Sequence, residues 1–287
     1  MKRVLITGAN SYIGTSFEKW LKKYPDKYNV DTVGTRNDEW KKKDFSEFDV
    51  VFHVAGIAHV STDPKMKDLY YKINRDLTIE VAKKAKAEGV KQFIFMSSII
   101  VYGDSSSSKK VIDKKTNPNP SNFYGYSKLQ AEQGIQQLEN DEFKIVIIRA
   151  PMIYGKGSKG NYSRLSKAAR IFPVFPDIDN ERSMLHIDNL CEFIKLIIDN
   201  EERGLFFPQN KEYVKTSEMV RLIAEVHGKK IKLTKVFNPI LKLLALKSNG
   251  VVNKVFGNLV YEKSMSDYDK INYRIKDFRE SIIATEK

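Results

Sequence analysis

The chain is poor in several things, and each shortage excludes something. Its 287 residues include one cysteine, Cys191, so no internal disulfide can form and a reducing, cytoplasmic compartment is expected. Cys191 sits in an apolar stretch and reads as a small buried hydrophobe rather than a nucleophile. The apolar run before Gly8 is only Val4, Leu5 and Ile6, too short for a secretion signal. No uninterrupted apolar run approaches the roughly 20 residues that span a bilayer. Histidine is scarce too, and His53 and His59 lack the neighbouring acids or cysteines of a metal site, so no metal is expected. His53 reads as a core residue and His59 as part of a loop. Acids are outnumbered 36 to 49, leaving a formal charge of +13. Most lysines alternate with acids, which describes a solvated surface, and no nucleic-acid partner is expected.

What is present points to an enzyme-sized globular protein. Hydrophobic residues make up 41% and aromatics 11% of the chain, enough for one large or two modest domains with a buried core. The organising stretch is Lys2 to Gly14. Val4, Leu5 and Ile6 predict a buried strand, Gly8 a tight turn, and Ile13-Gly14 the start of a helix with Phe17, Trp20 and Leu21 on one face. A strand that turns through glycine into a helix presents free amides and a positive dipole end. In a βαβ unit that is where a dinucleotide pyrophosphate sits. Gly8, Asn10, Ser11, Tyr12, Ile13 and Gly14 are therefore the expected cofactor contacts. The middle glycine of the usual three is replaced by Ser11, whose Cβ crowds the phosphates but whose hydroxyl can donate to them.

Along the chain, strand and helix alternate. Val30–Thr35 is a second strand candidate, and its tip should meet the adenosine ribose. An acid there suits NAD and an arginine NADP; Arg36 favours NADP. The connection to Asp49 is short, so a crossover helix should be reduced or missing. Asp49 to Gly56 predicts another buried strand whose small end, Ala55-Gly56, suits close approach of a cofactor. Asp63 caps and Pro64 opens a long helix carrying Ile73, Leu77, Val81 and Ala85 and ending at Gly89, with Asn74 beside the stripe. Gln92–Met96 is a strand leading to Ser97-Ser98, and 144–149 is another, leading to Ala150-Pro151. The segment 185–198 reads as helix, 205–207 as a last strand, and the remainder after Thr216 as mostly basic helices. This pattern predicts an α/β protein: a doubly wound parallel (Rossmann) sheet with a smaller, mostly helical C-terminal substrate domain. Residues 1–155 and 186–209 are assigned to the first, 156–185 and 210–287 to the second.

Tyr124 and Lys128, four apart at the head of a helix, share a face. With Ser98 at a strand end they make an acid/base group. A lysine ammonium and an oxidised nicotinamide nearby favour the phenolate, which then exchanges a proton with a sugar hydroxyl.

These residues resemble the extended short-chain dehydrogenase/reductases that act on nucleotide sugars, the NAD-dependent epimerase/dehydratase family. The resemblance rests on Thr7-Gly8…Gly14, His53-Val54-Ala55-Gly56, Asn74, Ser97-Ser98…Val101-Tyr102-Gly103, Tyr124-Gly125-Tyr126-Ser127-Lys128 and Arg182…His186-Ile187-Asp188-Asn189-Leu190. It implies Ser98, Tyr124 and Lys128 as the catalytic triad, with Lys128 also on the nicotinamide ribose. Asn74 would lie near the site's centre and Pro151 beside the nicotinamide, while Asn161 and Arg182 would contact the nucleotide-sugar. The family's dehydratases carry Asp-Glu after the catalytic Ser/Thr; here Ile99 and Ile100 stand there and cannot protonate a leaving hydroxyl, which excludes that reaction. The activity implied is nucleotide-sugar epimerisation at C4 through a transient 4-keto intermediate. The alternative is an NADPH-dependent 4-keto-sugar reductase, and in another class a non-catalytic dinucleotide sensor, against which the complete triad argues. A homodimer is expected.

One segment stands apart: Lys229 to Lys263 holds eight lysines and one acid, Glu262. Its apolar clusters, such as Ile240-Leu241 and Leu243 to Leu246, fit either a peripheral membrane surface or packing onto the substrate domain. Packing is the expectation, since apolar stripes at helical spacing usually belong to a core.

Overall fold

Val4, Leu5 and Ile6 are fully shielded from solvent, and the strand they form is the centre of the molecule. In the computed structural model, which describes residues 1–58, 63–106, 110–246, 250–268 and 271–287, six strands make one wholly parallel sheet. They are β1 (Lys2–Thr7), β2 (Tyr28–Val33), β3 (Val50–His53), β4 (Gln92–Ser98), β5 (Lys144–Ala150) and β6 (Gly204–Phe206), in the order β6-β5-β4-β3-β1-β2. The order reverses at β1, which pairs with β2 on one side and β3 on the other. A reversal of this kind opens a crevice at the strands' carboxyl ends.

Side chains alternate across this sheet because strand residues point to opposite faces. Val4, Ile6, Phe52 and Ile148 pack with α1 (Tyr12–Leu21) and the helix Ile187–Asp199. Leu5, Val51, Phe95 and Ile147 pack with the helices Leu77–Ala87 and Phe123–Gln136. Both faces are covered, which is why these strands read as continuous apolar runs. Between β2 and β3 the crossover is a single turn, Glu39–Lys42. Its Trp40, 3% exposed, fills the space a longer helix would occupy.

Three boundaries differ from the sequence reading. The second strand runs Tyr28–Val33 rather than to Thr35, because the Val33 carbonyl accepts the Gly8 and Ala9 amides and the chain leaves the sheet there. The long helix from Asp63 is broken into a 3-10 turn (Pro64–Met66), one α turn (Lys67–Tyr70), a π-helical stretch (Tyr71–Asp76) and Leu77–Ala87. Leu185 belongs to a short strand, Met184–His186, paired with Met152–Tyr154. The following helix begins at Ile187, where the His186 side chain caps it by accepting the Asp188 amide at 3.3 Å.

A second core gathers Tyr154, Tyr162, Leu165, Phe175, Met184, Val214, Met219 and Ile282. It is built from the helices Asn161–Ile171, Thr216–Val226 and Phe278–Glu286 and the strand pair Val174–Pro176/Lys232–Thr234. A buried polar clasp ties it to the sheet. Asn210 accepts from the His186 amide and the Asn189 side chain and donates to Tyr154 at 2.9 Å; Asn189 also donates to the Lys276 carbonyl. Ile271 and Tyr273, far along the chain, return to pack in the core of the large sheet.

Candidate active site

The loop between β1 and α1 is shaped by two left-handed residues, Gly8 (φ 97°) and Asn10 (φ 66°). A Cβ on Gly8 would lie 2.8 Å from the Ala55 nitrogen, so only glycine allows the loop to lie against the end of β3. Ser11 caps α1, its hydroxyl accepting the Gly14 amide at 3.1 Å. The amides of Tyr12 and Ile13, in the first turn, have no carbonyl within their own helix to receive them. First-turn amides of this kind can receive an anion, and the Ser11 hydroxyl, which accepts the Gly14 amide, keeps a proton to donate. Tyr12 offers only its backbone here. Its ring packs into the core and its buried hydroxyl lies against Gly155, where a Cβ would come within 2.7 Å of it.

Ser98 ends β4 in register with Ala150, so Pro151 follows directly beside it. The Ser98 hydroxyl caps the turn Ile99–Tyr102, accepting the Ile100 amide at 3.3 Å, and it acts to lower the pKa of the Tyr124 phenol. Tyr124 stands in the first turn of Phe123–Gln136, which Asn122 caps at the Gly125 amide (3.1 Å). Its ring meets the edge of the buried Tyr70, 5.7 Å between centroids. Gly125 is needed for this placement, since a Cβ there would lie 2.8 Å from the Ile100 carbonyl oxygen.

One turn later Lys128 is buried, 6% exposed, donating to the Met96 carbonyl at 2.9 Å and lying over the Phe95 ring. Burial lowers its pKa to about 8, with Glu132 pulling the other way. Burial pushes Tyr124 up to about 12, only partly offset by Ser98. The sequence reading had Lys128 and an oxidised nicotinamide together lowering the phenol; the Lys128 ammonium here donates to the Met96 carbonyl.

Asn74 is fully buried within the π-helical stretch. Its amide accepts from the Ile57 nitrogen (2.9 Å) and donates to the Ile57 carbonyl and the Ser127 hydroxyl. It therefore braces the loop after β3 against the Tyr124 helix. A Cβ on exposed Gly56 would meet Asn74 Oδ1 at 3.0 Å and Lys128 Nζ at 3.3 Å. Close packing without side-chain bulk at Gly8 and Gly56, with free first-turn amides between, fits a dinucleotide laid across the sheet's carboxyl edge. Arg36, just past β2, is solvent-exposed.

His53 is a core residue, as expected, held between Thr7 (2.7 Å) and Thr78 (3.1 Å). His59 lies outside the described residues. Among the described residues no cluster of three potential metal ligands occurs. Asn161 and Arg182 lie on elements that build or border the second core, Asn161 opening the helix Asn161–Ile171 and Arg182 bridging to Val214. Asn161 begins its helix behind Gly160 (φ 96°). Arg182 donates to the Gly257 carbonyl at 3.2 Å and to that of Asn253, and burial lowers its pKa to about 10, leaving a charged guanidinium.

Sequence reasoning missed a buried charge pair directly beneath the site. Arg149 donates to Glu132 through Nε (3.1 and 3.2 Å) and Nη2 (2.7 Å), and to the Tyr102 hydroxyl at 2.6 Å. Ser97 donates to the same carboxylate, and Tyr261 to the Arg149 carbonyl. The signal was present: an arginine inside the apolar run of 145–150 requires a buried acid, and Glu132 lies four residues after Lys128 on one helix face.

A family model described as the NAD dependent epimerase/dehydratase family matches residues 4–207. The chain belongs to that family. Within the NAD dependent epimerase/dehydratase family it is 31% identical over 249 residues to UDP-glucose 4-epimerase of Vibrio cholerae, covering 78% of this chain and 75% of that protein. It is also 31% identical over 244 residues to the N-acetyl-alpha-D-glucosaminyl-diphospho-ditrans,octacis-undecaprenol 4-epimerase of Escherichia coli O157:H7, covering 78% and 71%. The fold matches that of UDP-glucuronic acid 4-epimerase from Bacillus cereus, with a TM-score of 0.76 at 20% identity over 99% of this chain and 98% of that one. Family membership carries a nicotinamide dinucleotide as cofactor, and the first-turn amides described above can receive its phosphates.

Proposed function

We propose that this protein epimerises a diphosphate-linked sugar at C4 through a transient 4-keto intermediate, using NAD(P) held between Gly8, the α1 amides and Gly56. The observation that carries the proposal is the placement of Ser98 at the carboxyl end of β4 beside the helix that carries Tyr124 and Lys128 on one face. Both relatives named above are 4-epimerases.

In this reading residues 1–155 and 186–209 hold the dinucleotide, and 156–185 with 210–287 hold the sugar carrier. The bound oxidised nicotinamide supplies a positive charge and the acceptor and donor site for hydride. Ser98 fixes the C4 oxygen, and Tyr124 takes its proton as the C4–H bond breaks. Tyr124 returns that proton once the keto-sugar has presented its other face. Lys128 would hold the ribose of a bound nicotinamide, and its positive charge would stabilise the phenolate. Asn74 is a positioning residue that holds the Ile57 loop and Ser127. Arg182 has no carboxylate partner among its hydrogen-bond contacts, and a buried guanidinium bonded only to carbonyls suits a diphosphate. Whether that diphosphate carries a nucleoside or a polyprenyl chain is open, since the two relatives differ in this.

A reductase reading is favoured by one observation, the exposed Arg36 at the β2 tip, which suits a 2′-phosphate. The deciding experiment incubates the protein with UDP-sugars and, separately, with polyprenyl-diphosphate-linked sugars, each with catalytic NAD or NADP, and follows the C4 epimers by NMR. Epimer formation without net cofactor consumption, lost in Tyr124→Phe, is expected. Stoichiometric NADPH consumption on 4-keto-sugars without epimer would establish the reductase instead, and cofactor binding with no turnover would establish a sensor.

A further inference from the structure

The expectation that the apolar clusters after Lys229 pack into the core fails for part of the segment. Val236 is 76%, Phe237 44%, Ile240 62% and Leu243 57% exposed. Ile240 and Leu243 share one face of the helix Asn238–Leu246. The strand leading to them, Lys232–Thr234, pairs in register with Val174–Pro176, and this sets a second apolar edge alongside. There Ile171, Phe172 and Val174 are likewise exposed, while Phe175 turns into the core. These seven side chains are more than half of the large hydrophobics exposed among the described residues. An exposed concentration of this kind marks a binding surface.

The surface is ringed by cations. Lys229, Lys230, Lys232 and Lys235 are exposed on the approach, and Arg164, Lys167 and Arg170 on the adjoining helix Asn161–Ile171. That helix contains no acid, and none occurs between Lys229 and Tyr261. The first two acids after Val174–Pro176, Asp177 and Asp179, pair with Lys215. A second copy of the chain meeting this face across a two-fold axis would bring like charges together. Anionic lipid instead matches the cations at headgroup depth and the apolar side chains below.

We propose that this face docks the protein peripherally on an anionic membrane. The docking helix packs against Gly250–Phe256, and it is the Asn253 and Gly257 carbonyls at the end of that helix that receive Arg182. The docking face and the diphosphate arginine are therefore parts of one structural unit. Resting on the epimerase reading, this assigns the sugar carrier to the polyprenyl-diphosphate class, whose diphosphate lies at the membrane surface.

The docking is tested without reference to activity. The full chain is sedimented with phosphatidylcholine vesicles, with and without phosphatidylglycerol, at low and high salt. Binding to the anionic vesicles only, weakened by salt and reduced roughly tenfold or more in F237E/I240E, is expected. K232E/K235E should weaken it with the apolar face intact. Both variants should keep the wild-type melting temperature and wild-type turnover of a detergent-solubilised polyprenyl-diphosphate-linked sugar, so failure to dock and failure of the epimerase assignment are separate results. No binding at low salt, equal binding to neutral vesicles, or binding unchanged in both variants would overturn the proposal. A wild-type oligomer that F237E/I240E dissociates would overturn it by making the face a self-interface. Salt-sensitive capture of an acidic protein with no vesicle binding would overturn it in favour of a protein partner.

Discussion

Replacing Glu132 by glutamine tests the electrostatic foundation of the site. Glu132 and Arg149 side chains are 2% and 8% exposed, and the carboxylate receives three guanidinium contacts and the Ser97 hydroxyl. Burial works against the Arg149 charge, but Glu132 more than offsets it and holds the guanidinium above its ordinary pKa. Glutamine keeps the shape and removes the charge, so Arg149 is left a buried cation with only a neutral amide oxygen and the Tyr102 hydroxyl as side-chain acceptors. Breaking one half of a buried pair costs about 3–5 kcal/mol. Against a total stability of about 5–15 kcal/mol, that is a large fraction. Urea denaturation at neutral pH measures it.

Two further readouts separate charge from packing. The double variant Glu132→Leu/Arg149→Met removes both charges and should cost less than Glu132→Gln alone, because no unpaired ion remains. Glu132 also supports the charged form of Lys128, whose pKa already lies near 8. Without it Lys128 should lose its proton at lower pH, and the alkaline limb of cofactor binding should move in the acid direction. A stability loss below about 1 kcal/mol, a double variant as damaged as the single, or an unmoved alkaline limb would refute the reasoning.

Arg36→Ala should lower NADP affinity roughly tenfold or more, the loss of a charge-assisted contact of about 1.5–3 kcal/mol, and leave NAD affinity nearly unchanged in isothermal titration. Equal effects on both cofactors would show that Arg36 does not read the 2′-phosphate. Burial lowers His53 from 6.5 to about 3 and also depresses His186. In each case the unfolded chain binds the proton more readily, so their contribution is present above pH 6.5 and is lost as pH falls. For His53 the window runs from 6.5 to about 3, with a slope of about 1.4 kcal/mol per pH unit. His53→Gln should remove that share of the acid slope in denaturation at a series of pH values; an unchanged slope would contradict it.

The legible parts of this molecule were those written in local pattern. Apolar strand runs, the glycine turn and the Tyr124/Lys128 spacing each depend on residues close in sequence, and each appears in place. The short β2–β3 link was legible for the same reason, since too few residues remained for a helix. The illegible parts arise from tertiary choices. The Val30–Thr35 strand ends early because a loop from β1 takes the Val33 carbonyl. The helix from Asp63 is over-wound and then under-wound so that Asn74 can turn inward to Ile57 and Ser127. A π-helical insertion shifts register by one residue without disturbing the apolar spacing on either side, so periodicity does not reveal it, and such insertions gather at functional sites.

The same distinction applies to Lys128. Spacing placed it on the Tyr124 face, and that held. Whether its charge reaches the phenol depends on what competes for it, and the competitor is the Met96 carbonyl from a strand more than thirty residues away. With Lys128 so engaged and Tyr124 near 12, the phenol alone is a poor base at neutral pH. In the proposed mechanism the positive charge of a bound nicotinamide, together with the Lys128 ammonium, would favour the phenolate that burial alone disfavours.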